Sequence, residues 1–178
     1  SHFVWILKGI KVYALIGRSG TGKSFRALLV AQKFGIELII DDGLLIKNQK
    51  ILAGKSAKKE KAFLTAIRTA LFDDKQHRDD VRGTLEDEIF KKILIIGTSE
   101  RMVHKIAERL GLPAVTKIIR IEEIATQEEI ESAITSRTTE GKHVIPVPAV
   151  EVRRNYSSIL LDTVKVFFKR NIGFIFSK

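Results

Sequence analysis

The chain has 178 residues, 44% of them hydrophobic, no cysteine, and a formal net charge of +10 from 31 Lys and Arg against 21 Asp and Glu. This length suggests a single globular domain over residues 1–178, and the lack of cysteine excludes a disulfide framework, a thiol nucleophile and thiolate metal sites. No run approaches eighteen apolar residues and no charged n-region with an apolar h-region opens the sequence, so no membrane span or secretory signal is expected; a cytoplasmic location is the simplest fit, and the positive charge implies an anionic partner.

Ser1 and His2, with no starting Met, read as a cloning remnant. Residues 3–7 (FVWIL) and 10–16 (IKVYALI) are apolar, strand-like runs joined by Lys8-Gly9, which predicts a hairpin running into residues 17–24, GRSGTGKS. Residues 24–33 form a helix-favouring stretch with Phe25, Leu28, Leu29 and Gln32 on successive turns, and Gly35 suits its C-terminal cap. A second strand, 36–40 (IELII), ends at Asp41-Asp42, and residues 43–54 suggest two short strands around the Lys47-Asn48-Gln49 turn. This is the βαβ opening of an α/β fold.

Further on, Phe63, Ala66, Ile67, Ala70 and Leu71 have helical spacing within 56–72, and a second helical pattern follows over 85–91 after a charged break at 73–80. Residues 93–96 (ILII) read as a strand buried on both faces, and 99–110 as a helix stopped by Gly111 with Pro113 beyond it. Residues 117–121 (KIIRI) form another strand, and Thr126 with Glu129 makes a capping box for a helix reaching about Thr139. Pro146 and Pro148 confine 144–152 to an edge strand. The aromatic stretch 166–176 has no closing signal, so 171–178 read as a link to a further C-terminal segment. The fold expected is a largely parallel sheet flanked by helices.

Residues 17–24 match GxxxxGK[ST] with a strand before and a helix after, the setting a phosphate-binding loop requires. Gly17, Gly20 and Gly22 let the backbone take positive φ and turn N–H groups toward an anion, which the helix dipole also attracts. Lys23 reaches the β and γ phosphates, Ser24 ligates Mg²⁺, and Arg18, Ser19, Thr21 and Phe25 complete the cofactor contacts. A second acidic group belongs at a neighbouring strand end, and Asp41 and Asp42 are the candidates for metal and water. Strand alternation sends their side chains to opposite sides unless the chain turns there. Thr98, Ser99 and Glu100 read as a helix N-cap with a dipole-compensating acid, and otherwise Thr98 or Ser99 senses the γ-phosphate or a water.

Catalysis of phosphoryl transfer also needs a cation on the transferring group. Arg137 is nominated, before the polar segment 138–143, with Arg153 and Arg154 as alternatives. Lys47, Lys50, Lys55, Lys58, Lys59 and Lys61 form a basic run that reads as a solvated face, and otherwise as a surface for an acidic protein or nucleic acid. Trp5 and Tyr13 read as packing residues rather than base-stacking ones.

GRSGTGKS followed by ELIIDDGLLI resembles the nucleotide-binding core of the HPr kinase/phosphorylase family, in which an Asp-Asp pair at the metal site follows the phosphate-loop helix. The likeness covers residues 17–24 and Asp41-Asp42, roughly the first quarter of the chain. GIKVYALIGRSGTGKS also looks like the opening of ABC-type ATPases, but no LSGGQ-like stretch and no apolar run ending in Asp-Glu appears. The broader resemblance is to the P-loop NTPase superfamily, and it implies binding of ATP or GTP with Mg²⁺, with the chain acting as a hydrolase or a kinase. The alternatives are a nucleotide-responsive protein-binding module and a nucleic-acid binder.

Overall fold

The computed structural model describes residues 2–124, so Arg137, Arg153, Arg154, the capping box at Thr126 and Glu129, and the segments 138–143, 144–152 and 166–176 lie outside the described residues. The elements in chain order are α1 (His2–Leu7), β1 (Lys11–Ile16), α2 (Lys23–Phe34), β2 (Leu38–Asp41), β3 (Leu44–Lys47), β4 (Lys50–Gly54), a 3-10 turn at Ala57–Lys59, α3 (Phe63–Ala70), α4 (Lys75–Asp87), β5 (Lys92–Gly97), α5 (Glu100–Arg109), β6 (Val115–Arg120) and α6 (Ile121–Ile124). The six strands form one sheet in the order β4-β3-β2-β5-β1-β6. β2, β5, β1 and β6 are parallel, while β3 and β4 add an antiparallel meander at one edge.

Alternation along each strand divides the core between two faces. Val12, Ala14 and Ile16 of β1 pack with Leu38, Ile40, Ile93 and Ile95 against Val103, Ile106 and Ala107 of α5 and Val81 and Leu85 of α4. Tyr13 and Leu15 turn the other way, joining Leu94, Ile96 and Ile39 against Ala27, Val30 and Ala31 of α2. Strands buried on both faces have to be apolar throughout, which is why YALI and ILII carry no polar residue. Each fully buried Leu or Ile contributes about 1.5–3 kcal/mol by leaving water.

The expected N-terminal hairpin is not formed; residues 2–7 are helix α1 instead. The cause is the sheet itself. β1 is bonded along one edge to β5 and along the other to β6, so no edge remains for an antiparallel partner. FVWIL also lacks the alternation of a half-buried strand, and as a helix it seats Trp5 on Phe90 with ring centroids 5.3 Å apart. Gly9, at φ 68°, then reverses the chain into β1.

The second helical pattern also shifts. α4 begins at Lys75, inside the supposed charged break, because Asp74 caps it by accepting from the His77 N–H at 2.8 Å, and it ends at Asp87 rather than running through 91. The other helix, expected over 56–72, is shorter, being α3 preceded by the 3-10 turn.

His77 of α4 is 2% exposed and stacked on Phe72, with centroids 4.7 Å apart. Its Nε2 lies 2.7 Å from the Gly43 carbonyl oxygen and 3.0 Å from the Lys55 nitrogen; one tautomer donates to the first, the other accepts from the second. The first bond ties the β2–β3 turn to α4, and the second ties the exit of β4 to it. Burial holds the imidazole below its ordinary pKa of 6.5, and Lys55 adds to this while the Gly43 bond and the carboxylates of Asp74 and Asp80 oppose it. The unfolded chain therefore binds a proton below pH 6.5 that the native chain refuses, so this contribution to stability is complete above pH 6.5 and is lost as pH falls toward the native value. Urea midpoints measured from pH 7.5 to 5 should fall more steeply for the wild type than for His77→Gln; parallel slopes would show that His77 is not the group responsible.

Candidate functional site

The carboxyl ends of β1, β2 and β5 lie side by side, and the segments leaving them line a cavity of about 850 Å³. From β1 come Arg18, Ser19, Gly20, Gly22, Lys23 and Ser24; from β2, Asp41 and Asp42; from β5, Gly97, Thr98 and Ser99. Parallel pairing alone brings these segments to one edge, since neighbouring parallel strands end together.

The loop after β1 is organised around one acceptor. The Arg18 carbonyl oxygen receives the Thr21 hydroxyl at 2.6 Å, the Lys23 ammonium at 2.7 Å and the Thr21 N–H at 3.3 Å. Gly20 and Gly22 hold the left-handed backbone this needs, at φ 80° and 82°, but Gly17 does not have positive φ. Its role is steric: a Cβ there would lie 2.5 Å from Ile121 Cγ2 and 3.0 Å from Thr21 Oγ1. α2 begins at Lys23 after Gly22, an N-cap with no side chain to offer, and the positive end of the helix dipole lies at the cavity. Gly17, Thr21 and Phe25 do not line the cavity among the described residues; Gly17 and Thr21 are buried beneath it and Phe25 is half-buried on α2.

Asp41 and Asp42 do not diverge. Asp41 closes the β2–β3 ladder opposite Leu44, and Asp42-Gly43 is a two-residue turn with φ 48° and 84°, the double left-handed conformation that Asp-Gly favours in hairpins. The turn brings both residues to the cavity. Burial raises the Asp42 pKa above the ordinary carboxylate range, and the neighbouring charge of Asp41 raises it further. Lys58, 3.2 Å away, and Lys23 offset part of this.

At the end of β5, Ser99 accepts from the Met102 N–H at 3.2 Å and so caps α5. Glu100 pairs with Arg120 rather than with the cavity, and the Thr98 N–H and hydroxyl both lie 3.4 Å from Met102 Sδ. Trp5 and Tyr13 pack in the two cores, Tyr13 with Phe34, as the sequence suggested. Three lysines of the basic run are engaged: Lys47 with Glu88 at 2.5 Å, Lys55 with Asp74 at 4.0 Å and Lys58 with Asp42.

Sequence reasoning missed the opposite wall of the cavity. Phe63, Ala66, Ile67 and Ala70 of α3 line it, with Lys58 before them and Arg101, Met102 and Lys105 of α5 beyond. The signal was present, since 63, 66, 67 and 70 follow a helical stripe, but such a stripe ordinarily marks core. No protein-family model matches this chain, and no curated protein matches it at a significant level.

Burial and the charge of Asp41 disfavour ionised Asp42 even with Lys58 beside it, which opposes folding at neutral pH. Asp42→Asn keeps a residue that tolerates the turn and removes one charge, so it should stabilise the protein in the absence of divalent cations, on the order of 0.5 kcal/mol or about 1–2 °C in Tm. Thermal unfolding in EDTA measures this; a lower Tm for the variant would mean that the Lys58 pair outweighs burial and repulsion.

Proposed function

We propose that the chain is a P-loop-type nucleotide-binding protein that takes ATP or GTP with Mg²⁺ and acts on the γ-phosphoryl group, as a triphosphatase or a phosphotransferase. The observation that carries the proposal is a single cavity containing a helix start with its glycine loop and Lys23 on one side and the Asp41–Asp42 pair on the other. The helix start and lysine suit phosphate, and the paired carboxylates suit the cation that accompanies it.

The donor set fits Mg²⁺. Among the described residues no three or more His, Asp or Glu gather into a metal cage, and Mg²⁺ prefers one or two carboxylates, with phosphates, water and a hydroxyl making up the rest. Ser24 with Asp41 or Asp42 would hold it, and when bound it neutralises charge on the β and γ oxygens. Lys23 would leave the Arg18 carbonyl for the phosphates. The attacking oxygen of water or of an acceptor hydroxyl forms its bond to the γ-phosphorus as the bond to the β-bridging oxygen breaks, and the electron pair leaves on the nucleoside diphosphate. Whichever of Asp41 and Asp42 does not bind the metal would take the proton of the attacking group. The space walled by α3 beside the loop favours a phosphotransferase over a simple hydrolase.

Calorimetry with ATP and GTP, with and without Mg²⁺, and phosphate release test this reading. Lys23→Ala should weaken nucleotide affinity about a hundredfold, the loss of two strong charge-assisted contacts. Asp42→Ala should leave metal-free binding nearly intact, abolish the Mg²⁺ enhancement and lower turnover by about a hundredfold or more. If neither nucleotide binds at millimolar concentration the proposal is wrong, and binding with no turnover or transfer would leave a nucleotide-responsive binding module.

A further inference from the structure

The cavity holds two chemistries, and the triphosphate accounts for only one. Away from the glycine loop its wall is apolar, formed by Phe63, Ala66, Ile67 and Ala70 of α3 with Met102 of α5. Phe63 is 79% exposed and Ile67 39%, although each lies on the stripe that a helix of a globular protein ordinarily buries. Cations rim this same wall: Arg101 and Lys105 of α5 both line the cavity, and neither side chain enters an ion pair or hydrogen bond with another described residue.

The placement of those cations is unfavourable for the helix that carries them. Arg101 lies in the first turn of α5, at the positive end of the helix dipole, and Lys105 follows at i+4, where like charges repel. A bound anion reverses both costs. A nucleotide base carries no charge for Arg101 and Lys105 to meet, and the phosphates of the nucleotide already have Lys23, the α2 dipole and the metal. The cations and the apolar wall together describe a second, different ligand.

We infer that the α3–α5 side of the cavity is a second ligand subsite, which takes a small organic anion with an aromatic or branched aliphatic body alongside the nucleotide. The apolar body lies on Phe63 and Ile67 and the carboxylate or phosphate group meets Arg101 and Lys105. This rests on the nucleotide reading above, because it assigns the loop side of the cavity to the triphosphate.

The test uses the full chain loaded with Mg²⁺ and a non-hydrolysable ATP analogue. Phenyl phosphate, indole-3-acetate, 4-hydroxyphenylacetate and 4-methylpentanoate are titrated by ligand-observed NMR and calorimetry, each against a neutral alcohol or amide counterpart. The expected result is that at least one anion binds about tenfold or more tighter than its counterpart. Arg101→Ala/Lys105→Ala should remove that advantage, and Ile67→Glu should weaken the anion about tenfold or more, both with nucleotide affinity within twofold of wild type. The inference is overturned if no anion binds, if the anions compete with the nucleotide, or if the double variant weakens the nucleotide as much as the anion. Should the nucleotide itself fail to bind, the proposed function falls; the panel is then run on the unloaded chain, where cation-dependent binding would keep the subsite and its absence would remove it.

Discussion

β1 is hydrogen-bonded to β5 along one edge and to β6 along the other, in parallel on both sides, and the cavity follows from that arrangement. Parallel neighbours end at the same edge of the sheet, and their connections leave from it. Each connection out of that edge turns differently. The chain leaves β1 into α2 on one face and β5 into α5 on the other, while β2 turns straight back into β3. The edge is therefore open between α2 and α5, and backbone N–H groups, carboxylates and the hydroxyls of Thr98 and Ser99 converge on the gap. The same double pairing excluded a hairpin before β1 and made a helix of residues 2–7.

Electrostatics then separates what the fold needs from what the site needs. Asp41 is 4% exposed and Asp42 sits against it in a left-handed turn, an arrangement no folding requirement imposes, since Asn-Gly makes the same turn without charge. Burial and mutual repulsion raise the proton affinity of Asp42. Lys58 approaches at 3.2 Å from an exposed position, where an ion pair contributes little. On the proposed reading a divalent cation joins the same carboxylates, and Lys58 is released when it arrives.

The sheet was legible in the sequence because its signals are local. ILII and YALI are apolar throughout, Gly35 and Ser99 cap helices, Asp-Gly and Asn-Gln mark turns, and GRSGTGKS joins a strand to a helix. The failures came where tertiary packing decides. FVWIL is compatible with strand or helix, and only the occupied edges of β1 settle it. Asp73 to Asp80 looks like a break because it is charged, yet Asp74 caps α4, and His77, three residues on, is drawn into the core by Phe72 and Gly43. The two aspartates were identified, but their convergence depended on a turn that strand alternation alone does not reveal.

α3 is the clearest conflict between local and global rules, and it bears most on function. Its stripe of Phe63, Ala66, Ile67 and Ala70 would stabilise the fold by facing the sheet, yet this stripe lines the cavity while α4 and α5 supply the core on that side. The carboxyl end of α3 is anchored both by burial of Ala70 and the following Leu71 and Phe72 and by polar bonds. The Leu71 carbonyl accepts from Arg109 at 2.6 Å, Arg109 also pairs with Asp73 at 3.0 Å, and Thr69 donates to Glu60 at 3.1 Å. Phe72, fully buried with φ 55°, ends the helix in a conformation unfavourable for an aromatic residue, and such strain persists only where its surroundings over-determine it. The helix is thus held at its carboxyl end while Phe63 and Ile67 of its stripe stay exposed at the cavity. On the proposed reading, the contact left open to that stripe is with a ligand beside the glycine loop.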